Sequence, residues 1–80
     1  YIQTNKKFGV TGGIDEDGTV YRVGGVYVKT LVAIMDELDY LIVPKENEQE
    51  ALDAVADKNA SIEIKAVSTV EEALEFLEAH

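Results

Sequence analysis

Cysteine is absent from these 80 residues, so neither a disulfide framework nor a thiolate zinc site can form, and redox compartment leaves no trace in the sequence. Histidine occurs once, as His80 at the very end. It is either native or the first residue of a purification tag and carries no inference. Basic residues are few: seven Lys and Arg stand against sixteen Asp and Glu, a formal charge of −9. That balance opposes binding to the phosphate backbone of nucleic acid or to an anionic membrane surface, so no nucleic-acid partner is expected. Long apolar runs are also missing. Leu31 to Met35 and Tyr40 to Val43 fall far short of the roughly 20 residues a membrane span needs, and no signal peptide is visible. A cytoplasmic location is the expectation, with membrane attachment of a longer parent chain left open.

What is present is apolar enough to fold: 46% of the residues are hydrophobic, which suits one small domain or a piece of one. All six glycines lie within the first 25 residues, and Pro44 is the only Pro or Gly after them. Any chemistry that needs close backbone approach should therefore sit early. Tyr1 to Lys7 resembles the end of a helix and the turn after it, as though the chain began partway through an element.

Phe8 to Ile14 and Thr19 to Val23 read as two strands joined by the polar turn Asp15-Glu16-Asp17-Gly18, which predicts a hairpin. Gly25 to about Leu38 is apolar nearly all round before turning acidic, a helix covered on several sides, and its length favours helix over strand. Tyr40 to Val43, stopped by Pro44, has the continuous apolar pattern of a central strand. Asn47-Glu48-Gln49-Glu50 offers a capping-box start to a helix ending near Lys58-Asn59, with Ala51, Leu52, Ala54 and Val55 as its buried stripe. Ser61 to Val67 alternates Ile62, Ile64 and Ala66 with Glu63 and Lys65, a strand with one wet face. Ser68 or Thr69 can cap a last helix, with Glu71 or Glu72 three residues on and Val70, Ala73, Leu74 and Leu77 buried. The order strand, strand, helix, strand, helix, strand, helix implies an α/β (α+β layered) fold, a mixed sheet with helices packed on it.

Thr11-Gly12-Gly13, followed by Gly18 to Val23 and then Gly24-Gly25-Val26-Tyr27-Val28-Lys29, resembles the signature of Lon-type serine-lysine proteases, a TGE strand leading to G-x-V-x-P-V-G-G-x-x-x-K. Leu41-Ile42-Val43-Pro44-Lys45-Glu46-Asn47 is similar to that family's (I/L)IP-x-E-N strand and turn, and Ile64 to Leu77 to its closing strand and helix. The resemblance covers nearly the whole chain and implies a Lon protease domain-like fold. Residues 1–80 would be the C-terminal part of a proteolytic domain whose serine-bearing part lies upstream.

By this resemblance Lys29 is the general base of a Ser-Lys dyad in an endopeptidase, and the nucleophile belongs to a separate or missing N-terminal fragment. An ordinary lysine is protonated and cannot accept the serine proton, so such a site needs desolvation or nearby positive potential. Lys29 falls in the first turns of a helix, where the dipole disfavours an ammonium, and it is the only charge between Val26 and Met35. The competing reading is a lysine snorkelling from a buried helix. Gly24 and Gly25 would let backbone approach a substrate, and Thr11 and Gly12 would lie near the dyad. The resemblance also implies polypeptide substrates and a homo-oligomer, usually a hexamer. This chain needs no cofactor of its own: nothing in it resembles a P-loop, so ATP would be bound by a separate module of the parent.

Three departures stand out. Gly13 replaces the glutamate of TGE, Arg22 stands where the family usually has proline, and the serine-bearing helix has no counterpart here. A non-catalytic Lon-like assembly module, as in the C-terminal domain of RadA-type recombination proteins, is the alternative, although those domains lack the lysine. Asp15-Glu16-Asp17-Gly18 echoes part of a calcium loop but lacks its later ligands, which leaves a solvated turn. The acidic residues from Glu46 to Asp57 and from Glu71 to Glu78 read as solvated helix faces.

Overall fold

The computed structural model describes residues 6–79. The helix-end reading of Tyr1 to Lys7 falls mostly outside them, as does His80. The elements in chain order are β1 (Phe8–Val10), β2 (Gly13–Ile14), β3 (Val20–Tyr21), α1 (Val26–Met35), β4 (Tyr40–Pro44), α2 (Glu48–Lys58), β5 (Glu63–Val67) and α3 (Val70–Ala79), with a 3-10 turn at Lys45–Asn47. A parallel sheet is ordered β1-β4-β5, and β2 and β3 form a separate antiparallel ribbon. The fold is thus α+β, with parallel and antiparallel pairing both present.

The central position of β4 follows from its composition. Leu41, Ile42 and Val43 alternate between the two faces and all three are buried, which requires cover on both sides. Leu41 and Val43 pack with Val26 and Ala33 of α1 and Ala51 of α2. Ile42 packs on the opposite face with Val67 and Phe76. Each aliphatic side chain so buried contributes about 1.5–3 kcal/mol. Phe76 also meets Phe8 and Tyr40, with centroids 6.3 and 5.3 Å away in edge-on geometry.

The structure divides the first predicted strand. Phe8–Val10 pairs with β4 (Gly9 opposite Leu41), and only Gly13–Ile14 pairs with β3. The break is at Gly12, whose φ is +148° and whose missing β-carbon would stand 2.9 Å from Pro44 Cγ. The second predicted strand shortens to two residues because Val23 turns away to bond Asn47.

Both predicted helix stripes need correction. Leu52 and Leu74 are exposed; Ala51 and Ala54 bury α2, and Phe76, drawn in by the aromatic cluster, anchors α3. The face of β5 predicted to be wet is partly covered, since Lys65 lies over the Phe76 ring at 5.7 Å. The predicted cap of α3 is present: Thr69 Oγ1 accepts the Glu72 N–H and Glu72 accepts the Ser68 N–H. That of α2 is absent, because Asn47 makes no side-chain cap. The helix nevertheless ends as predicted, at Asn59 with φ +50°.

Candidate functional site

Helix α1 presents three surfaces. Val26, Thr30 and Ala33 are buried, Tyr27 hydrogen-bonds Asp57 of α2, and the remaining flank carries Val28, Lys29, Val32 and Asp36. That flank faces β1 across an open groove of about 540 Å³, whose other wall is Gly9 to Gly12 and whose floor includes Leu38 and Leu41. Gly9 is set close to the floor: a β-carbon there would lie 2.6 Å from Leu38 Cδ1. Leu38 and Leu41 therefore fill the place that a side chain at Gly9 would take.

Of the predicted site residues, the groove brings together Lys29, Thr11 and Gly12. Gly24 and Gly25 are not among its lining residues. They form the turn that starts α1, where Gly25 adopts φ +73° and its carbonyl accepts the Lys29 N–H at 3.0 Å. This left-handed conformation is one that glycine adopts without strain. Lys29 lies in the first turn of the helix, as the sequence predicts. It is not desolvated: the side chain is exposed, because the neighbouring Val28 and Val32 are themselves 60% and 50% exposed.

Lys29 and Asp36 supply the charged side chains of the groove, and Thr11 supplies its hydroxyl. The two serines of the chain lie elsewhere, Ser61 before β5 and Ser68 between β5 and α3. A second, smaller cavity of about 170 Å³ reaches Thr11 and Gly12 from the α3 side and is walled by apolar residues such as Ile14, Val20 and Leu77. Lys29 thus borders an open groove together with Thr11 and Gly12.

The replacement at Gly13 has a structural counterpart. Gly13 pairs with Tyr21, and the ring covers it so closely that a β-carbon would meet Tyr21 Cε1 at 2.1 Å. The ring of Tyr21 occupies the space that a larger side chain at position 13 would need.

The turn predicted to be solvated is an Asp-centred turn. Gly18 N–H bonds the Asp15 carbonyl at 3.0 Å and Thr19 N–H bonds Asp17 Oδ1 at 3.1 Å. Hydrogen bonds from Thr19 hold the Asp17 carboxyl below the usual carboxylate value. Among the described residues, no group of three or more His, Cys, Asp or Glu is arranged to hold a metal ion. No described helix is long and apolar enough to cross a membrane.

Asn47, which the sequence placed in a strand-and-turn motif and at a helix cap, has partners that the sequence did not show. It is fully buried, and its amide is spent on Val23 in the segment between β3 and α1. A capping-box pattern is a local signal and cannot reveal a partner 24 residues away.

Residues 1–79 match the family model described as the Lon protease (S16) C-terminal proteolytic domain. The Lon protease of Methanosarcina barkeri is 37% identical over 68 residues, covering 85% of this chain and 8% of that protein. The Lon protease of Azospirillum brasilense is 33% identical over 73 residues, 91% of this chain and 9% of that protein. The archaeal Lon protease of Archaeoglobus fulgidus is 35% identical over 76 residues, 95% of this chain and 12% of that protein. The chain therefore spans about a tenth of the length of these relatives.

Proposed function

Since the chain belongs to the Lon protease (S16) C-terminal proteolytic domain family, we propose that it forms part of an endopeptidase in which Lys29 is the general base of a Ser-Lys dyad. The observation that carries this reading is the place of Lys29 on the groove flank of α1, opposite Thr11 and Gly12. In the proposed reaction the Lys29 amine takes the proton of a serine hydroxyl, the serine oxygen attacks the scissile carbonyl, and the Lys29 ammonium gives that proton to the leaving amine as the C–N bond breaks, which leaves an acyl-enzyme and a neutral Lys29. Lys29 then takes a proton from water as the water oxygen attacks the acyl carbon, and returns it to the serine oxygen as the ester C–O bond breaks.

The serine is proposed to come from an upstream segment that closes over the groove. Closure would remove water from around the lysine, and the N-terminal end of α1 adds positive potential there. Unfolded polypeptide is the proposed substrate. Oligomeric assembly and an ATP-driven unfolding module are proposed for the parent protein and lie outside these residues.

The test is peptide hydrolysis by the full-length protein with Lys29→Ala. Under this reading turnover is abolished while the melting temperature is retained, because the side chain is exposed. Unchanged hydrolysis would remove the Ser-Lys dyad and assign the base to another residue.

A further inference from the structure

Asn47 is fully buried, where an unpaired amide is costly, and its bonds converge on the chain leading into α1. Its Oδ1 accepts the Val23 N–H at 3.0 Å and its Nδ2 donates to the Val23 carbonyl at 2.9 Å. One side chain thereby pairs with both backbone groups of a residue, as a neighbouring strand would. Nδ2 also donates to Glu50 Oε1 at 2.9 Å, and the same oxygen receives Arg22 at 3.3 Å. These contacts fix which way the amide faces, since a flipped Oδ1 would meet the Glu50 carboxylate and the Val23 carbonyl.

The clamp stands immediately before a turn with little other support. A β-carbon on Gly24 or Gly25 would meet nothing within 4 Å, so neighbouring groups do not press on the turn at these two positions. The backbone is held on one side by Asn47 at Val23 and on the other by burial of Val26. Gly25 then accepts the Lys29 N–H, and the start of α1 sets where along the groove the lysine projects.

We infer that Asn47 is a positioning residue for Lys29: by fixing Val23 it sets the Gly24-Gly25 turn and with it the origin of α1, while Glu50 holds the amide in its working orientation. The inference rests on Lys29 being the base. Displacing a reacting amine by about 1 Å can cost on the order of a hundredfold in rate, so loosening the turn should slow turnover more than it weakens substrate binding.

The experiment uses the full-length protein and a fluorogenic peptide, with kcat expressed per active site titrated by acyl-enzyme burst, so that unfolded molecules are not counted. Asn47→Ala is expected to lower kcat per site roughly tenfold with KM within about twofold. Glu50→Ala should lower it about threefold, and Glu50→Gln, which keeps an oxygen facing Nδ2, should restore most of that loss. Unchanged kcat per site in Asn47→Ala and Glu50→Ala would overturn the inference. If Asn47→Ala gives no titratable sites, the Glu50 pair decides: a loss in Ala rescued by Gln supports it, and equal rates in the two overturn it. Lys29→Ala separates the two levels. An active Lys29→Ala overturns both the base and its positioning, whereas an inactive one beside unaffected Asn47 and Glu50 variants overturns the positioning alone.

Discussion

Gly12 lies against the ring of Pro44, so close that a β-carbon would stand 2.9 Å from Cγ, and it adopts a φ of +148°. This contact ends β1, releases the chain into the β2–β3 ribbon, and leaves Thr11 and Gly12 lining the groove with Lys29. Gly12→Ala meets both obstacles, the ring and the backbone conformation. It should lower stability by roughly 1–3 kcal/mol, read as a shift of the thermal midpoint, with peptide hydrolysis reduced further than stability alone explains. A midpoint equal to that of the parent would show that the contact is not a constraint.

Phe76 holds α3 to the sheet through Phe8 and Tyr40 and is 8% exposed. Removing such a ring costs about 3–5 kcal/mol, a large fraction of the stability of a small domain. Phe76→Ala should therefore abolish cooperative melting or lower its midpoint sharply. Leu74→Ala, on the same helix but 46% exposed, should change it far less. Comparable losses in the two variants would contradict the observed burial.

The Tyr27 hydroxyl donates to Asp57, and that bond raises the phenol above its ordinary value of 10.0. A raised folded value means that the bond stabilises fully below the ordinary value and is lost as pH rises through the folded one. The stability difference between parent and Tyr27→Phe should accordingly shrink in alkaline titration. Asp17 gives the opposite sign. Its carboxyl is held below the ordinary 3.8 by Thr19, so the difference between parent and Asp17→Asn should be present above that value and vanish as pH falls through the folded one. Paired denaturant titrations across pH check both, and a pH-independent difference in either pair would contradict the bond.

The helices and the central strand were legible in the sequence because their signals are local. The apolar run of β4, the Thr69 and Glu72 pair and the Asn59 terminus each specify an element through near neighbours. The split of the first strand was not, since it depends on Gly12 meeting Pro44 of a different strand. Asn47 shows the same limit: its pattern reads as a cap, yet Val23 takes the amide and α2 starts without a side-chain cap. Leu74 and Phe76 both offered an apolar surface on α3, and the Phe8 and Tyr40 rings decided between them. The family resemblance singled out Lys29, Thr11 and Gly12, which line one groove, whereas the exposure of Lys29 follows from what lies beside it in space.

The most direct test of Lys29 as a base, as opposed to a source of positive charge, is the rate of acyl-enzyme formation in full-length Lys29→Arg. Arginine keeps the charge and much of the length but cannot be deprotonated in a protein. Acylation should fall to the level of Lys29→Ala if the amine must accept the serine proton. Arginine supporting acylation near the parental rate would contradict that role and leave Lys29 as an electrostatic contact in the groove.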